Sequence, residues 1–361
     1  MILRDIPMVT DVLAIRGLLC VGFLSFVGPQ GIFAGAAAAR LPQGITPEVE
    51  RMIHSGADYL VRTQNPDGSW NNMGGYGRYP VAMTSLAGTA LLMTGSTPTR
   101  GPYCRSISKA TEFLIRTARP NGLIATPSEE GRSMHGHGFA LLYLAQTYGM
   151  ERDGRLARQL RDVLRRAVRI TERSQSRSGG WLYTPNSDGD EGSVTVTQIQ
   201  ALRACRNTGI QVNANTIRRA VRYIEHSANA DGGIRYRMTG GGSSRPPITA
   251  AAVATLYNAG KYDSPLAIKC LRYCDRTISV HGDINRSWGH YFYTHLYYAQ
   301  AKYQRGGREW MRYYRDITTR LAGSRSSDGS WMGDQVGTSY GTAIALIVLQ
   351  LPYDYVPIFQ R

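Results

Sequence analysis

ADYLVRTQNPDGSW, from Ala57 to Trp70, passes from an amphipathic stretch through polar residues into a glycine turn and a tryptophan, and TSLAGTALLM, Thr84 to Met93, follows as an apolar helix opened by threonine. The same succession recurs down the chain. TEFLIRTARPNGLI (Thr111 to Ile124) precedes GHGFALLYLAQ (Gly136 to Gln146), and AVRITERSQSRSGGW (Ala167 to Trp181) precedes VTVTQIQALRAC (Val194 to Cys205). AVRYIEHSANADGGI (Ala220 to Ile234) leads to ITAAAVATLYNAG (Ile248 to Gly260), and YRDITTRLAGSRSSDGSW (Tyr314 to Trp331) leads to GTSYGTAIALIVLQL (Gly337 to Leu351). A fifth unit ends on Trp288 and continues into HYFYTHLYYAQA (His290 to Ala301), its glycine turn having drifted. Repetition at a period of about 50 to 60 residues is the mark of a helix-pair array.

In each unit the first helix is amphipathic and the second is apolar nearly all round, so the second has to be covered on every side. About six pairs meet that demand by closing into a ring, with the apolar helices as an inner barrel and the amphipathic ones as its jacket. An open solenoid would need polar terminal caps, whereas the last unit, ending in Ala343 to Leu351, is the most apolar of all. The expectation is an all-α protein, an α/α toroid over residues 46–352 with a tail at 353–361. Trp70, Trp181 and Trp331 are expected in equivalent places between outer helices, closing each repeat on its neighbour.

The chain has 361 residues and a formal net charge of +16, carried by arginine, since the lysines are Lys109, Lys261, Lys269 and Lys302 alone. Arg158, Arg161, Arg165, Arg169 and Arg173 fall on one face of a helix. That face reads as a solvated jacket or as a surface attracted to an anionic envelope. No aromatic residues interleave with it, and no nucleic-acid partner is expected. Ahead of the repeats, Arg4 and Arg16, the apolar stretch Leu18 to Val27 and the small residues Ala34 to Ala39 have the order of a secretory signal. Residues 1–39 are therefore read as a signal peptide cleaved near Ala37-x-Ala39, or as a retained N-terminal anchor, and the protein as exported. Cys104, Cys205, Cys270 and Cys274 are too few and too scattered for a disulfide framework.

QNPDGSW (Gln64 to Trp70) resembles the Gln-x-x-x-Gly-x-Trp repeat of squalene and hopene cyclases, and SSDGSW (Ser326 to Trp331) keeps its second half. From about Thr46 to Pro352 the chain resembles the prenyltransferase and squalene oxidase repeat family. It is most similar to exported bacterial single-toroid members, through HGHGFALLYLAQTYGM (His135 to Met150), GGWLYTP (Gly179 to Pro185) and LPYDYVPIFQR (Leu351 to Arg361). Such repeats specify a fold strongly and a reaction weakly. Class I diphosphate ionisation needs paired carboxylates for Mg²⁺, and the chain has no Asp-Asp pair. A prenyltransferase-like zinc site does not match in order or spacing.

DGDEGSVTVTQIQAL (Asp188 to Leu202) resembles the Asp-x-Asp-Asp stretch of class II cyclases, which protonate an alkene. The resemblance gives Asp190 the proton-donor place and makes Asp188 and Glu191 the flanking carboxylates. It departs from the pattern at Glu191, and class II cyclases are expected to use two fused toroids. The other reading is an Asp-Gly loop capping an inner helix. Inner-helix N-termini converge on one mouth, where His135, His137, Thr249, His290, Tyr291, His295 and Tyr340 are expected to line a pocket with the acids. His135-x-His137 lacks a third ligand at a metal-site spacing, so neither metal nor cofactor is expected.

Three functions remain open at this level. The first is a pocket that holds or transforms an isoprenoid or other apolar small molecule; the second is a non-catalytic envelope module; the third is glycan processing by Glu129 or Glu130 paired with Asp190 or Glu191, at carboxyl separations of about 5 to 9 Å. A central pocket that is apolar and closed at one end would mark the first.

Overall fold

The computed structural model describes residues 41–72, 77–151, 153–282 and 290–360. The expected signal segment 1–39 and the repeat marker Trp288 lie outside the described residues. Among the described residues, no helix is long and apolar enough to cross a membrane.

The described residues form helices and short turns, with isolated bridges in place of named strands. The outer helices are α1 (Pro47–Thr63), α3 (Cys104–Thr117), α5 (Gly154–Arg173), α7 (Ala214–His226), α9 (Pro265–Thr277) and α11 (Gly307–Ser324). The inner helices are α2 (Pro80–Leu92), α4 (Ser133–Thr147), α6 (Gly192–Asn207), α8 (Pro246–Asn258), α10 (Tyr291–Arg305) and α12 (Thr338–Gln350). Helix α5 shows why the jacket forms: Leu160, Val163, Leu164, Ala167 and Ile170 are buried, while Arg158, Arg161, Arg165, Arg169 and Arg173 stay exposed. In α12 every residue from Gly341 to Gln350 is buried.

Each inner helix packs on the next, and α12 packs back on α2, so the ring closes. The repeat glycines show the same closure at the backbone. Gly68 has φ +93, and a Cβ there would lie 2.3 Å from the carbonyl oxygen of Lys109 in the next outer helix. Gly329 has φ +92 and meets the carbonyl of Ser55 at 2.6 Å, back in α1. Positive φ combined with this approach leaves room for glycine alone.

Arginines of each following helix then grip the turn. Arg116 Nη2 donates to the Asp67 carbonyl at 2.8 Å, Arg276 Nη2 to Asp231 at 3.1 Å, and Arg62 Nη2 to Asp328 across the closure at 2.9 Å. Part of the arginine excess is thus an inter-repeat clamp, a task for a planar fork of donors.

The tryptophans bolt the two helices of their own repeat. The indole N–H of Trp70 donates to the Leu60 carbonyl at 2.8 Å, and its backbone N–H donates to Thr84 Oγ1 at 3.0 Å. Trp181 repeats the pair with Thr171 and Thr195, and Trp331 with Leu321 and Thr342. The sequence expectation placed these side chains between outer helices. The structure adds the bolt from outer to inner helix as their directed contact, while the Trp331 ring also reaches Gly56 of α1.

At the C-terminal end of the inner helices the chain turns across the bore. Val356, Ile358 and Phe359 are buried, and the turn Pro357–Phe359 packs on α6, the helix opposite α12 in the ring. Tyr303 donates to Asp354 at 3.0 Å and holds the crossing in place. The tail is a floor.

Candidate functional site

The jacket covers the inner helices outside and the tail crosses below them, and at their N-terminal ends the bore opens as a mouth. Half-exposed side chains on them cluster there: His135 and Phe139 on α4, Ser193 on α6, Tyr293 on α10, and Thr338 and Tyr340 on α12. Two turns deeper, Gln200 Nε2 of α6 donates to Gln300 Oε1 of α10 at 3.2 Å, although α8 stands between these helices. That bond crosses the bore. Gln200 and Gln300 are both buried, as are their neighbours down to the tail. Tyr297, one turn below Tyr293, is already 1% exposed, so the mouth is a shallow bowl about one helical turn deep, roughly 6 Å, with the glutamines beneath its base.

Buried carboxylates cap alternate inner helices around this bowl. Glu129, from the turn Pro127–Arg132, accepts from the N–H groups of Val81 and Ala82 at the start of α2 and from Thr126. Glu191 accepts from Ser193 N at 2.9 Å, Val194 N at 3.0 Å and Ser193 Oγ at 2.6 Å at the start of α6. Asp334 accepts from Phe292 N at 3.0 Å and Tyr293 N at 3.1 Å at the start of α10, and from Tyr340. The orphan donors and the positive end of each helix dipole favour a carboxylate in these places. Desolvation nevertheless raises the Glu129 pKa and lifts that of Asp334 to about 6.

The aromatic wall is dense. Tyr293 and Tyr297 pack edge to face at 5.0 Å, and their buried hydroxyls lack a well-formed hydrogen bond. Tyr183 and Tyr236 pair through their hydroxyls, and His135 lies 6.0 Å from the Tyr183 ring. Arg132 stacks over the outer side of Tyr183 at 5.2 Å. The charge of Glu191 reaches His135, His290, Tyr236 and Tyr293, which places these groups around one carboxylate. His135 Nε2 meets Ser193 Oγ at 2.8 Å and lies 3.8 Å from Glu191 Oε2. Burial lowers its pKa, with Glu191 opposing.

Of the residues expected in the pocket, His135, Glu191, His290 and Tyr340 stand at the mouth. The rest lie elsewhere. His137 is buried, with Nδ1 accepting from Ile124 N at 3.1 Å and Nε2 against Thr171 at 2.9 Å; burial takes its pKa down to about 4. It fills the bolt position that Thr84, Thr195 and Thr342 fill in other repeats. Thr249 is another bolt, taking Ile234 N at 2.8 Å.

Tyr291 donates to the Val280 carbonyl, and His295 pairs with Tyr313 of α11 at 2.9 Å, its pKa taken by burial to about 3. Both face the jacket. Asp190 accepts from Met238 N at 2.7 Å and packs beside Gly180, near Tyr223 of α7, so it ties two loops between the layers. Asp188 is exposed next to Arg177 and has left the acidic cluster. Among the described residues, no group of three His, Cys, Asp or Glu side chains is placed to hold a metal ion.

Sequence reasoning missed Asp334, Ser193, Phe139 and the pair Tyr293 and Tyr297. The i, i+4 spacing of that pair was the available signal. Asp334 gave none, because the helix it caps begins some 40 residues upstream, in another repeat.

No family model matches the chain. Among solved structures it is similar to the type II terpene cyclase MstE from Scytonema, at TM-score 0.61 and 15% identity, over 86% of this chain and 100% of that one. It is similar to the GH76A α-1,6-mannanase of Salegentibacter sp. HEL1_6, at TM-score 0.61 and 8% identity, over 84% and 98% of the chains. A protein from Actinoplanes matches at TM-score 0.59 and 17% identity, over 84% and 98%. The protein has the all-helical α/α-toroid fold that these structures share. One toroid spans the whole of the matched terpene cyclase, which corrects the expectation that such a cyclase needs two fused toroids.

Proposed function

We propose that this is an exported toroid that takes the end of an isoprenoid-type or similarly amphiphilic small molecule into the aromatic bowl at its mouth. The observation that carries the reading is the wall of Phe139, Tyr293, Tyr297 and Tyr340 above a bore closed by Gln200 and Gln300. Such a site offers apolar ring faces with a few hydrogen-bonding groups, the usual make-up of a small-molecule pocket. Its depth of about one helical turn limits what enters to roughly 6 Å. A short prenyl end or a single ring fits, and the remainder of a longer chain stays at the rim.

Support for an apolar ligand also comes from the terpene cyclase likeness, since that protein has been captured with geranylgeranyl dihydroxybenzoate. Export rests on the order of residues 1–39, and the exposed arginine face of α5 suits the toroid to an anionic envelope surface. We assign no acid catalysis to Asp190, because its oxygen is taken up between the layers. Mass spectrometry of small molecules retained by the purified protein tests the reading, with Phe139→Ala and Tyr297→Ala as controls. A prenyl compound recovered from the wild type and lost from both variants is the expected result. Retention unchanged in both folded variants would place the ligand outside the bowl.

A further inference from the structure

The geometry points to His135 as a fixed hydrogen-bond acceptor for a ligand hydroxyl, so that the bowl selects alcohols or phenols over their ethers; this rests on the bowl reading above. The argument starts at Glu191. Its two oxygens accept from Ser193 N, Val194 N and Ser193 Oγ, and a carboxylate so placed has no proton to give. Ser193 therefore spends its only hydrogen on Glu191, at 2.6 Å. His135 Nε2 stands 2.8 Å from Ser193 Oγ, and the contact is a hydrogen bond only if Nε2 carries the hydrogen. The network thus assigns the Nε2–H tautomer and leaves Nδ1 bare.

The His135 side chain is 27% exposed in the first turn of α4, on the face that carries Phe139 one turn deeper. Among the described residues no bond engages Nδ1, in contrast with His137 and His295, whose Nδ1 atoms are taken by Ile124 and Tyr313. Glu191 and Arg132 are the charged groups that act on this ring, and burial keeps it neutral. A ligand lying on the aromatic wall meets an acceptor whose orientation is set by a second residue and a third, the arrangement that makes hydroxyl recognition selective. An ether in the same place brings a second acceptor and gains nothing.

The test uses 4-geranylphenol and its methyl ether, titrated against the full chain by calorimetry, with ¹⁵N spectra of the histidines in parallel. The phenol should bind about tenfold more tightly than the ether. In His135→Phe the two affinities should become equal, with the ether unaffected, and Ser193→Ala should reduce the ratio by freeing the tautomer. The His135 resonance, identified by its loss in His135→Phe, should show the Nε2–H form. Should His135→Phe fail to fold, the wild-type spectrum and Ser193→Ala decide the matter. Equal affinities in the wild type, a ratio that survives in His135→Phe, or an Nδ1–H tautomer would overturn the assignment and leave the bowl reading standing. If neither compound binds the wild type, the bowl reading fails and the acceptor role with it.

Discussion

Gln200 and Gln300 hydrogen-bond across the bore at 3.2 Å, joining two inner helices that are not neighbours in the ring. Gln300 also donates to the Leu296 carbonyl, so its amide is fixed before it meets Gln200. Gln200→Ala would leave a buried amide oxygen unpaired and a gap beneath the aromatic wall. We expect a loss of about 1–3 kcal/mol in denaturant unfolding, together with a deeper bowl. An unfolding midpoint equal to that of the wild type would show that the bore is not held shut there.

The tryptophan bolts predict a graded series. Trp181→Ala removes a fully buried indole and its bond to the Thr171 carbonyl, while the backbone bond to Thr195 stays, and should cost about 3–5 kcal/mol. Trp181→Phe keeps most of the ring but loses the bond to Thr171, and should cost distinctly less. Equal unfolding curves for wild type and Trp181→Ala would mean that the third repeat is not bolted in this way.

His137 predicts a pH effect of defined sign. Its folded pKa of about 4 lies below the ordinary value of 6.5, so the unfolded chain binds the proton first. This contribution to stability is complete above pH 6.5 and is lost as pH falls from there towards 4. His295, at about 3, acts in the same direction. His137→Thr restores the side chain used by the other bolts; it should be less stable at pH 7.5 because it leaves a gap, yet should lose less stability on acidification. An acid slope as steep as that of the wild type would exclude His137 as its source.

Asp334 works against the histidines. A carboxyl whose folded pKa is raised to about 6 holds its proton in the folded state, so its penalty grows as pH rises from near 3.8 to 6 and is constant above. Asp334→Asn removes the titrating group but keeps an acceptor for only one of the Phe292 and Tyr293 N–H groups, which bond to different oxygens, and asparagine tolerates the residue's φ of +46. The lost acceptor costs stability at every pH, so the expected signature is the difference: relative to wild type the variant should stand better at pH 7 than at pH 4. A difference independent of pH would contradict this.

The ring itself was legible because its unit is local. A Gly-x-Trp turn followed by an apolar helix can be read within a single repeat, and the structure adds that Thr84, Thr195 and Thr342 of those helices take the backbone N–H of the tryptophan. The site was less legible because it is assembled between repeats. His137 resembled a pocket residue, yet it occupies a threonine's place in a degenerate unit. On α10 the sequence reading chose Tyr291 and His295, while the bowl takes Tyr293 and Tyr297. Two residues along a helix is a rotation of about 200°, enough to exchange the jacket face for the bore face. The acidic run Asp188 to Glu191 looked like one cluster, but its members part three ways, into solvent, between the layers and onto the α6 N-terminus.

A chain-length series tests the bowl most directly: the dissociation constants of geranyl, farnesyl and geranylgeranyl phenols, measured under one set of conditions. Burying each further isoprene unit in a channel would contribute several CH₂ equivalents at about 0.8 kcal/mol each, more than a tenfold gain per unit. A bore closed by Gln200 and Gln300 predicts affinities that level off after the geranyl compound. A steady rise of tenfold or more per unit through geranylgeranyl would mean that the chain passes the glutamines, and would contradict the account.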